Sequence, residues 1–480
     1  MSKNTNKNTV VGYLPDERPP FFELILFALQ QIVVMFPATV LVALITGFHV
    51  STTIFASGLA TLGFILITGK KIPLYYGSSF SYITAIASIM SADAFANLSH
   101  NEKISIAQFG IVMSGFVSIL AGVVINKCGK KFIDRVLPAS VTGSIAIIIG
   151  LSLAANAMSN AASAPANIGN VAPETATNFA WLIALITLFS TIIYSVYLKG
   201  KLSQLPILFG LLTGYISAII IGKTTGIDFV VFNTIKEAGV FALPTFTFPK
   251  PSLAAVLAIM PIAIATIPES TAHLYQLDTY VNDLAKKKGS KRKYAIEDKL
   301  GLNLIGDGVG DIISGFIGGP AGTNYGENLS TMAISKNFSI PVLGAAAIIT
   351  MIISCFTPLI NIIYSIPTAV IGGLSIYLYG VIAAQGVTIM LEKKVDLFDS
   401  RVLAVISVIL VVGLGGSYAF EGGMIPMFGF DIPALATASV VGIILNLALS
   451  FGKNNVEITQ ENIEISQENV EVSNAAYPYI

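Results

Sequence analysis

Apolar runs long enough to cross a bilayer follow one another along almost the whole chain, at about 21–46, 51–69, 104–126, 136–157, 178–198, 204–222, 252–272, 301–317, 340–360, 366–386, 400–415 and 432–451. No other feature narrows the fold as much, because a chain of 480 residues cannot hide twelve such runs in a water-soluble core. With 54% hydrophobic and 11% charged residues, the expected class is an all-α polytopic membrane protein. Net charge is zero, so no electrostatic footprint for nucleic acid is present. Cys128 and Cys355 are too few for a disulfide or zinc framework. The first twenty residues are polar and unlike a cleaved signal peptide, so they are expected to stay cytosolic.

Two further segments, about 72–91 and 319–336, start with Pro and Gly and escape a simple hydropathy window. The second contains GGPAGTNYGENLSTMAISK, Gly318 to Lys336, whose first half holds too many breakers for a helix in lipid and whose second half reads as a short helix from about Asn328. Such a segment fits membrane depth only where protein covers it or where it lines a cavity. Counting both segments gives fourteen crossings. The positive-inside rule agrees, since of the 27 Lys and Arg only Lys103, Lys223, Lys236 and Lys250 fall on the outer side, leaving 23 on the termini and alternate loops. Both termini are therefore expected in the cytoplasm.

The broken segments are spans three and ten. Tyr76 to Ser81, YGSSFS, lines up with Tyr325 to Ser330, YGENLS, and seven crossings separate them, so the copies face opposite ways, as in inverted-repeat transporters. Residues 223–250 read as an external loop with strand-like alternation, and 278–299 as a basic cytosolic linker. The tail, 453–480, repeats VEITQEN, IEISQEN, VEVS and reads as a mobile acidic segment.

A charge at bilayer depth costs at least roughly 2.5–3.5 kcal/mol and needs a partner or a purpose. Glu269, in PIAIATIPESTAHL, lies one helical turn before His273, close enough to share a proton. Glu327 stands where span ten turns helical, near the positive end of a half-helix. Phe80, in the opposing broken segment, can present its backbone amide and ring edge. Asp307 and Asp311, four apart, are expected to be polar interior contacts rather than a cation site. Gln30 and Gln31, with Pro37 and Ala38 behind, are equally suited to lining a substrate and to bonding between helices. His49 and His100 fall in loops. Carboxylates, glutamines and free N–H groups without clustered Lys or Arg suit a small, polar, uncharged or weakly acidic ring bearing N–H donors and C=O acceptors. An inorganic anion would fit poorly, and no HExxH or GxSxG motif points to a hydrolase.

LQQIVVMFPATVL, GKKIPLYYGSSFSYI, PESTAHL and TNYGENLSTMAISK followed by GGLSIYLYGVI, in this order, resemble the nucleobase/ascorbate transporter (nucleobase:cation symporter) family, most closely its uracil:proton symporters, over about 17–452. The resemblance implies seven plus seven inverted repeats, with spans three and ten opening as short strands. It implies a core domain of spans one to four (21–126) and eight to eleven (252–360), and a gate domain of spans five to seven (136–222) and twelve to fourteen (366–452). Residue by residue, it implies substrate carboxylates at Glu269 and Glu327, a histidine bonding the first at His273, and base-holding amides at Phe80 and Gly326. An acidic residue at the position of Glu327 goes with uracil in this family, and Gln there with xanthine and urate. The chain departs from the family at Gln31, where His is common, at Ser330 and Ser335, and at Pro268. The implied function is uracil import with protons by alternating access, the alternatives being a xanthine or other purine:cation symporter and, after it, a non-transporting nucleobase receptor. No cofactor is expected beyond the coupling ion, a proton with sodium left open. The expected partners are the base and membrane lipid, with a homodimer left open.

Overall fold

A computed structural model describes residues 12–92, 95–129, 135–199, 202, 205–231, 239–290, 292–427 and 430–450. Lys3, Lys7, Lys130, Lys131, Lys201, Lys236, Lys291 and Lys453 of the charge count, and the repeats of the acidic tail, lie outside them. The helices follow the apolar runs closely. They are α1 (Phe21–Thr46), α2 (Val50–Ile67), α3 (Ile83–Ser91), α4 (His100–Cys128), α5 (Ala139–Ser152), α6 (Ala154–Ala161), α7 (Pro173–Tyr197), α8 (Pro206–Thr225), α9 (Leu253–Ile259), α10 (Ile262–Lys287) and α11 (Leu300–Ile317). After them come α12 (Gly326–Ser335), α13 (Ile340–Ile353), α14 (Thr357–Tyr364), α15 (Thr368–Glu392), α16 (Ser400–Leu410), α17 (Gly416–Ala419) and α18 (Ala434–Ser450).

Among the described residues ten helical stretches are long and apolar enough to cross a membrane, and three shorter apolar helices accompany them, so the chain is a multi-pass membrane protein. The spans divide into an inner and an outer set. Only 17% of the most apolar window of α8 and 28% of that of α7 is buried, against 61% for α1, α2 and α11. The exposed residues of α7 and α8 include Phe189, Ile193, Leu212, Ile216 and Ile220, an apolar surface suited to lipid rather than water.

Glycine sets how closely the inner spans approach. On α4 and α11 a methyl group at Gly308 would lie 2.3 Å from the carbonyl of Gly115, and one at Gly122 would lie 2.4 Å from that of Gly301. The same reciprocal contact joins Gly143 of α5 to Gly386 of α15 at 2.6 and 2.4 Å. Without a hydrophobic driving force between helices in lipid, such backbone contact is a main source of packing energy.

The two broken segments meet. Strand β1 (Tyr76–Ser78) pairs antiparallel with β2 (Gly322–Asn324), in register Tyr76 with Asn324, Gly77 with Thr323 and Ser78 with Gly322. Ser79 N–H donates to the Ala321 carbonyl at 3.0 Å and Tyr325 N–H to that of Tyr75 at 2.9 Å, extending the ribbon at both ends. Each segment thus supplies the backbone partners that its breakers deny the other, which answers the cost of irregular backbone at membrane depth. Gly322 carries no Cβ because the Tyr76 ring covers it, and Gly77 because the Tyr325 ring does.

The ribbon does not place the two Tyr-Gly pairs at equivalent positions. Strand starts Tyr76 and Gly322, and helix starts Phe80 and Gly326, correspond at a spacing of 246 residues, not the 249 that aligns the two Tyr-Gly pairs. Tyr76 opens its strand whereas Tyr325 follows its own, so the shared letters hold different places. The region 239–250 is irregular apart from a bridge of Phe241 to Phe356. An unexpected hairpin, β3 (Met424–Met427) with β4 (Phe430–Pro433), precedes α18.

Candidate functional site

Both half-helices start beside the ribbon. A 3₁₀ turn, Phe80–Tyr82, leads into α3, and α12 begins at Gly326 with Tyr325 as its cap residue. The first N–H groups of a helix have no partner within it and carry the positive end of its dipole, and Phe80 and Gly326 are the first residues of the two half-helices. Helix α10 passes alongside. Its Pro268 removes the N–H that would bond the Ile264 carbonyl, and Glu269 follows directly.

These parts enclose a cavity of about 220 Å³ whose walls include Phe80, Glu269, His273, Gly326 and Glu327. Ser81 Oγ–H donates to Glu269 Oε2 at 3.4 Å. A methyl group at Gly326 would stand 2.8 Å from His273 Nε2, so glycine here leaves room for the imidazole and keeps the amide bare. His273 Nδ1 is buried and has no hydrogen-bond partner among the described residues. Glu269 and His273 face the same cavity, yet among the described residues no hydrogen bond or ion pair joins them; the recorded partner of Glu269 is Ser81. No Lys or Arg forms an ion pair with either carboxylate among the described residues, so the cavity favours donors over anions. A separate cavity of about 460 Å³, lined by Gly47, Met90 and His100 where α1, α3 and α4 end or begin, touches none of these groups.

Two expected lining residues are elsewhere. Gln31 is buried, and both its backbone carbonyl and its side-chain oxygen accept from Asn328 Nδ2, at 3.0 and 2.8 Å. Its face of α1 meets α12 and not the cavity, which selects interhelical bonding over substrate lining. Ala38, buried two turns further along, also lies off the cavity wall, next to Thr39, whose hydroxyl bonds that of Tyr325 at 2.9 Å.

Asp311 accepts from Tyr76 Oη at 2.5 Å and from Gly322 N–H at 2.8 Å through one oxygen, tying both strands to α11. Asp307 accepts from Ser270 Oγ, which in turn accepts from Asn303 Nδ2 at 2.7 Å, while Asn324 Nδ2 donates to Asn303 Oδ1 at 3.1 Å. These are the interior contacts expected of the pair. His49 caps α2 and bonds Asn101 at 2.7 Å, and His100 bonds the Gly47 carbonyl at 2.7 Å, both at helix ends remote from the cavity.

Four participants were not singled out from the sequence. Ser81 holds Glu269, and the Tyr379 ring packs edge-on against Phe80 with centroids 5.9 Å apart. Gln276 and Gln385 line the same cavity from α10 and α15. Gln276 was detectable, being three residues after His273 on the same face, as was Gln385 in an otherwise apolar run.

The Permease family matches residues 22–422. The chain is 34% identical over 450 residues to the uracil permease of Bacillus subtilis (strain 168), covering 92% of this chain and 96% of that one. It is 33% identical over 432 residues to the uracil permease of Escherichia coli (strain K12), covering 90% and 92%. A putative pyrimidine permease of that strain, RutG, is 33% identical over 438 residues, covering 91% of each. Among solved structures, the murine Slc26a9 anion transporter in the inward-facing state superposes with a TM-score of 0.62 at 12% identity, over 94% of this chain and 73% of that one. The transmembrane domain of the cyanobacterial bicarbonate transporter BicA superposes with 0.56 at 15%, over 90% and 99%. At these identities the likeness is one of fold alone.

Proposed function

Because the chain belongs to the Permease family, that of the nucleobase:cation symporters, we propose that it imports uracil with protons across the cytoplasmic membrane by alternating access. Family membership makes it a transport protein and not an enzyme. The observation that carries the substrate reading is the convergence of Glu269, Glu327 and the first amides of both half-helices, Phe80 and Gly326, on one cavity. Uracil matches that set, its N–H groups toward the carboxylates and its C=O groups toward the amides. The names of the similar permeases, and the acidic residue at Glu327, favour uracil over purines.

In this reading the chain crosses the membrane fourteen times as seven plus seven inverted repeats, with both termini cytoplasmic. The ten long stretches, the three shorter apolar helices and α12 together make up that number. Exchange of the repeats would relate the packing of α2 on α13 to that of α11 on α4, and both pairs are in contact. The core would comprise 21–126 and 252–360, and the gate 136–222 and 366–452.

Protonation from outside would neutralise Glu269, with His273 beside it on the same face. Uracil would then settle between Glu269, Glu327, Phe80 and Gly326, and the core would move against the gate to release both inside. The cavity reaches Tyr280 and Glu392, near helix ends bearing Lys286, Lys287, Lys393 and Lys394, the side expected in the cytoplasm; this supports an inward-open stage. Each pH unit of gradient supplies about 1.4 kcal/mol per proton. Each 100 mV adds about 2.3 kcal/mol per charge.

The test is radiolabelled uracil uptake into proteoliposomes with an inward proton gradient, with a sodium gradient instead, and with neither, beside Glu327→Gln. Proton-dependent uptake abolished by the substitution supports substrate, coupling and site together. Uptake driven by sodium alone would reassign the coupling ion. Uptake of xanthine without uracil would overturn the specificity.

A further inference from the structure

The cavity is longer than one base requires. Beyond Glu269 its α10 wall continues through Gln276 to Tyr280, and its α15 wall runs from Ile382 through Gln385 and Thr388 to Glu392. At 1.5 Å per residue, Gln276 stands roughly 10 Å past Glu269 along the helix axis and Tyr280 roughly 6 Å further. A single-ring base held at the two carboxylates cannot also touch Tyr280.

We propose that this inner stretch is a second, release-side station for the nucleobase, formed by Gln276 and Gln385 with Tyr280 as a stacking face. The inference rests on the transport reading above. A glutamine amide carries a donor and an acceptor side by side, the arrangement that lets Gln pair in bidentate fashion with the edge of a base. Uracil offers the complement, a C=O next to an N–H, on more than one edge. The two amides come from different helices, both side chains are exposed to the cavity, and neither has a hydrogen-bond partner among the described residues. Tyr280, 38% exposed, adds an aromatic face on which any base can stack. Beside the station Lys393 Nζ, at the end of α15, lies 5.9 Å from the centre of the Tyr275 ring, midway along α10 and next to Gln276.

The station has a physical role. A base leaving two half-buried carboxylates and two amides loses all its hydrogen bonds at once unless others replace them, and conduction is faster through several weaker sites than out of one tight one. Gln276 and Gln385 supply replacements that water can readily displace. They belong to helices placed in the core and the gate respectively, so the station is complete only while these are apposed on the inner side.

The prediction is directional. In membrane vesicles of defined sidedness, uracil efflux and uracil influx are measured for wild type, Gln276→Ala, Gln385→Ala, Tyr280→Ala and Tyr280→Phe. Each alanine variant is expected to raise the half-saturating uracil concentration for efflux roughly fivefold or more, the scale of a lost bidentate or stacking contact, and to leave that for influx in place. Tyr280→Phe, which keeps the ring, is expected to behave as wild type. Where an alanine variant accumulates poorly, Gln385→Met keeps the size, loses the hydrogen bonds and is expected to give the same split. Constants unchanged in both directions, or shifted equally, would overturn the station and make these residues a wet wall. Failure of the transport reading itself looks different: wild type then moves no uracil in either direction.

Discussion

Asp311 offers the sharpest test of how the two broken spans are held. The residue is 1% exposed, and a single carboxylate oxygen accepts both the Tyr76 hydroxyl at 2.5 Å and the Gly322 N–H at 2.8 Å. Asp311→Ala removes that acceptor and strands one donor from each strand. The Tyr76 ring is itself buried, packed over Gly310 and Gly322, and cannot swing its hydroxyl to water. A buried donor left unmet costs about 1–3 kcal/mol, so the pair predicts a loss of about 2–6 kcal/mol. Asp311→Asn can keep an acceptor oxygen in place for both donors and should cost less, about 1–2 kcal/mol. Tyr76→Phe should cost a similar amount. The double variant Tyr76→Phe with Asp311→Ala should fall short of the sum of the singles by about 1 kcal/mol or more, because one stranded donor is gone. Thermal unfolding of detergent-purified protein, followed alongside uracil uptake, reads the order Ala, then Asn, then wild type. Strict additivity, or an alanine variant as stable as wild type, would refute the claim that this carboxylate ties the ribbon to α11.

Three further outcomes are expected. Gly308→Ala puts a methyl group 2.3 Å from the Gly115 carbonyl and should lower stability by about 2 kcal/mol or more, whereas Gly344→Ala, with nothing within 4 Å, should be neutral; thermal scans of the two compare them directly. Asn328→Ala loses both bonds to Gln31, while Gln31→Ala loses only the side-chain one, so the first should be the more destabilising by about 1 kcal/mol, read from unfolding midpoints. Near the N-terminus Asp16 accepts from Tyr294 Oη and from Arg292, and the tyrosine bond holds its carboxyl below the usual range. A depressed carboxylate stabilises docking above its ordinary value near 3.9 and loses that contribution as pH falls through the lower folded value. Limited proteolysis at residues 12–20 should therefore be constant from pH 8 to 5 and rise in stronger acid, and Asp16→Asn should remove that rise; a change between pH 8 and 6 that followed Asp16 would contradict it.

The spans were legible because hydrophobic length is a local property. Each run that ends in α1, α2, α4 or α11 carries its boundaries in its own residues, and the Pro and Gly of 72–91 and 319–336 announced broken helices without any knowledge of partners. The hairpin β3 with β4 was not legible, being two four-residue strands that each contain a proline. The alignment of the two Tyr-Gly pairs does not match the strands, because Tyr-Gly occurs twice for different reasons, once opening a strand and once following one.

The candidate site divides in the same way. Glu269 and Glu327 stood out by themselves, since a carboxylate in an apolar run needs a reason wherever the chain goes. What the polar groups face is another matter. Gln31 and Gln276 are each a glutamine in a helical span, yet one is locked to Asn328 and the other looks into the cavity; the difference lies in helix rotation against neighbours far off in sequence. His273, one turn from Glu269, is directed at Gly326, while Ser81, 188 residues away, reaches Glu269. The sequence by itself determined the membrane class, the places of the spans and broken segments, and which residues are costly to bury, because each depends on a residue and its near neighbours. Only the tertiary structure decided which of those residues share a cavity, because that follows from an antiparallel ribbon joining segments 246 residues apart, and no local preference encodes so distant a pairing.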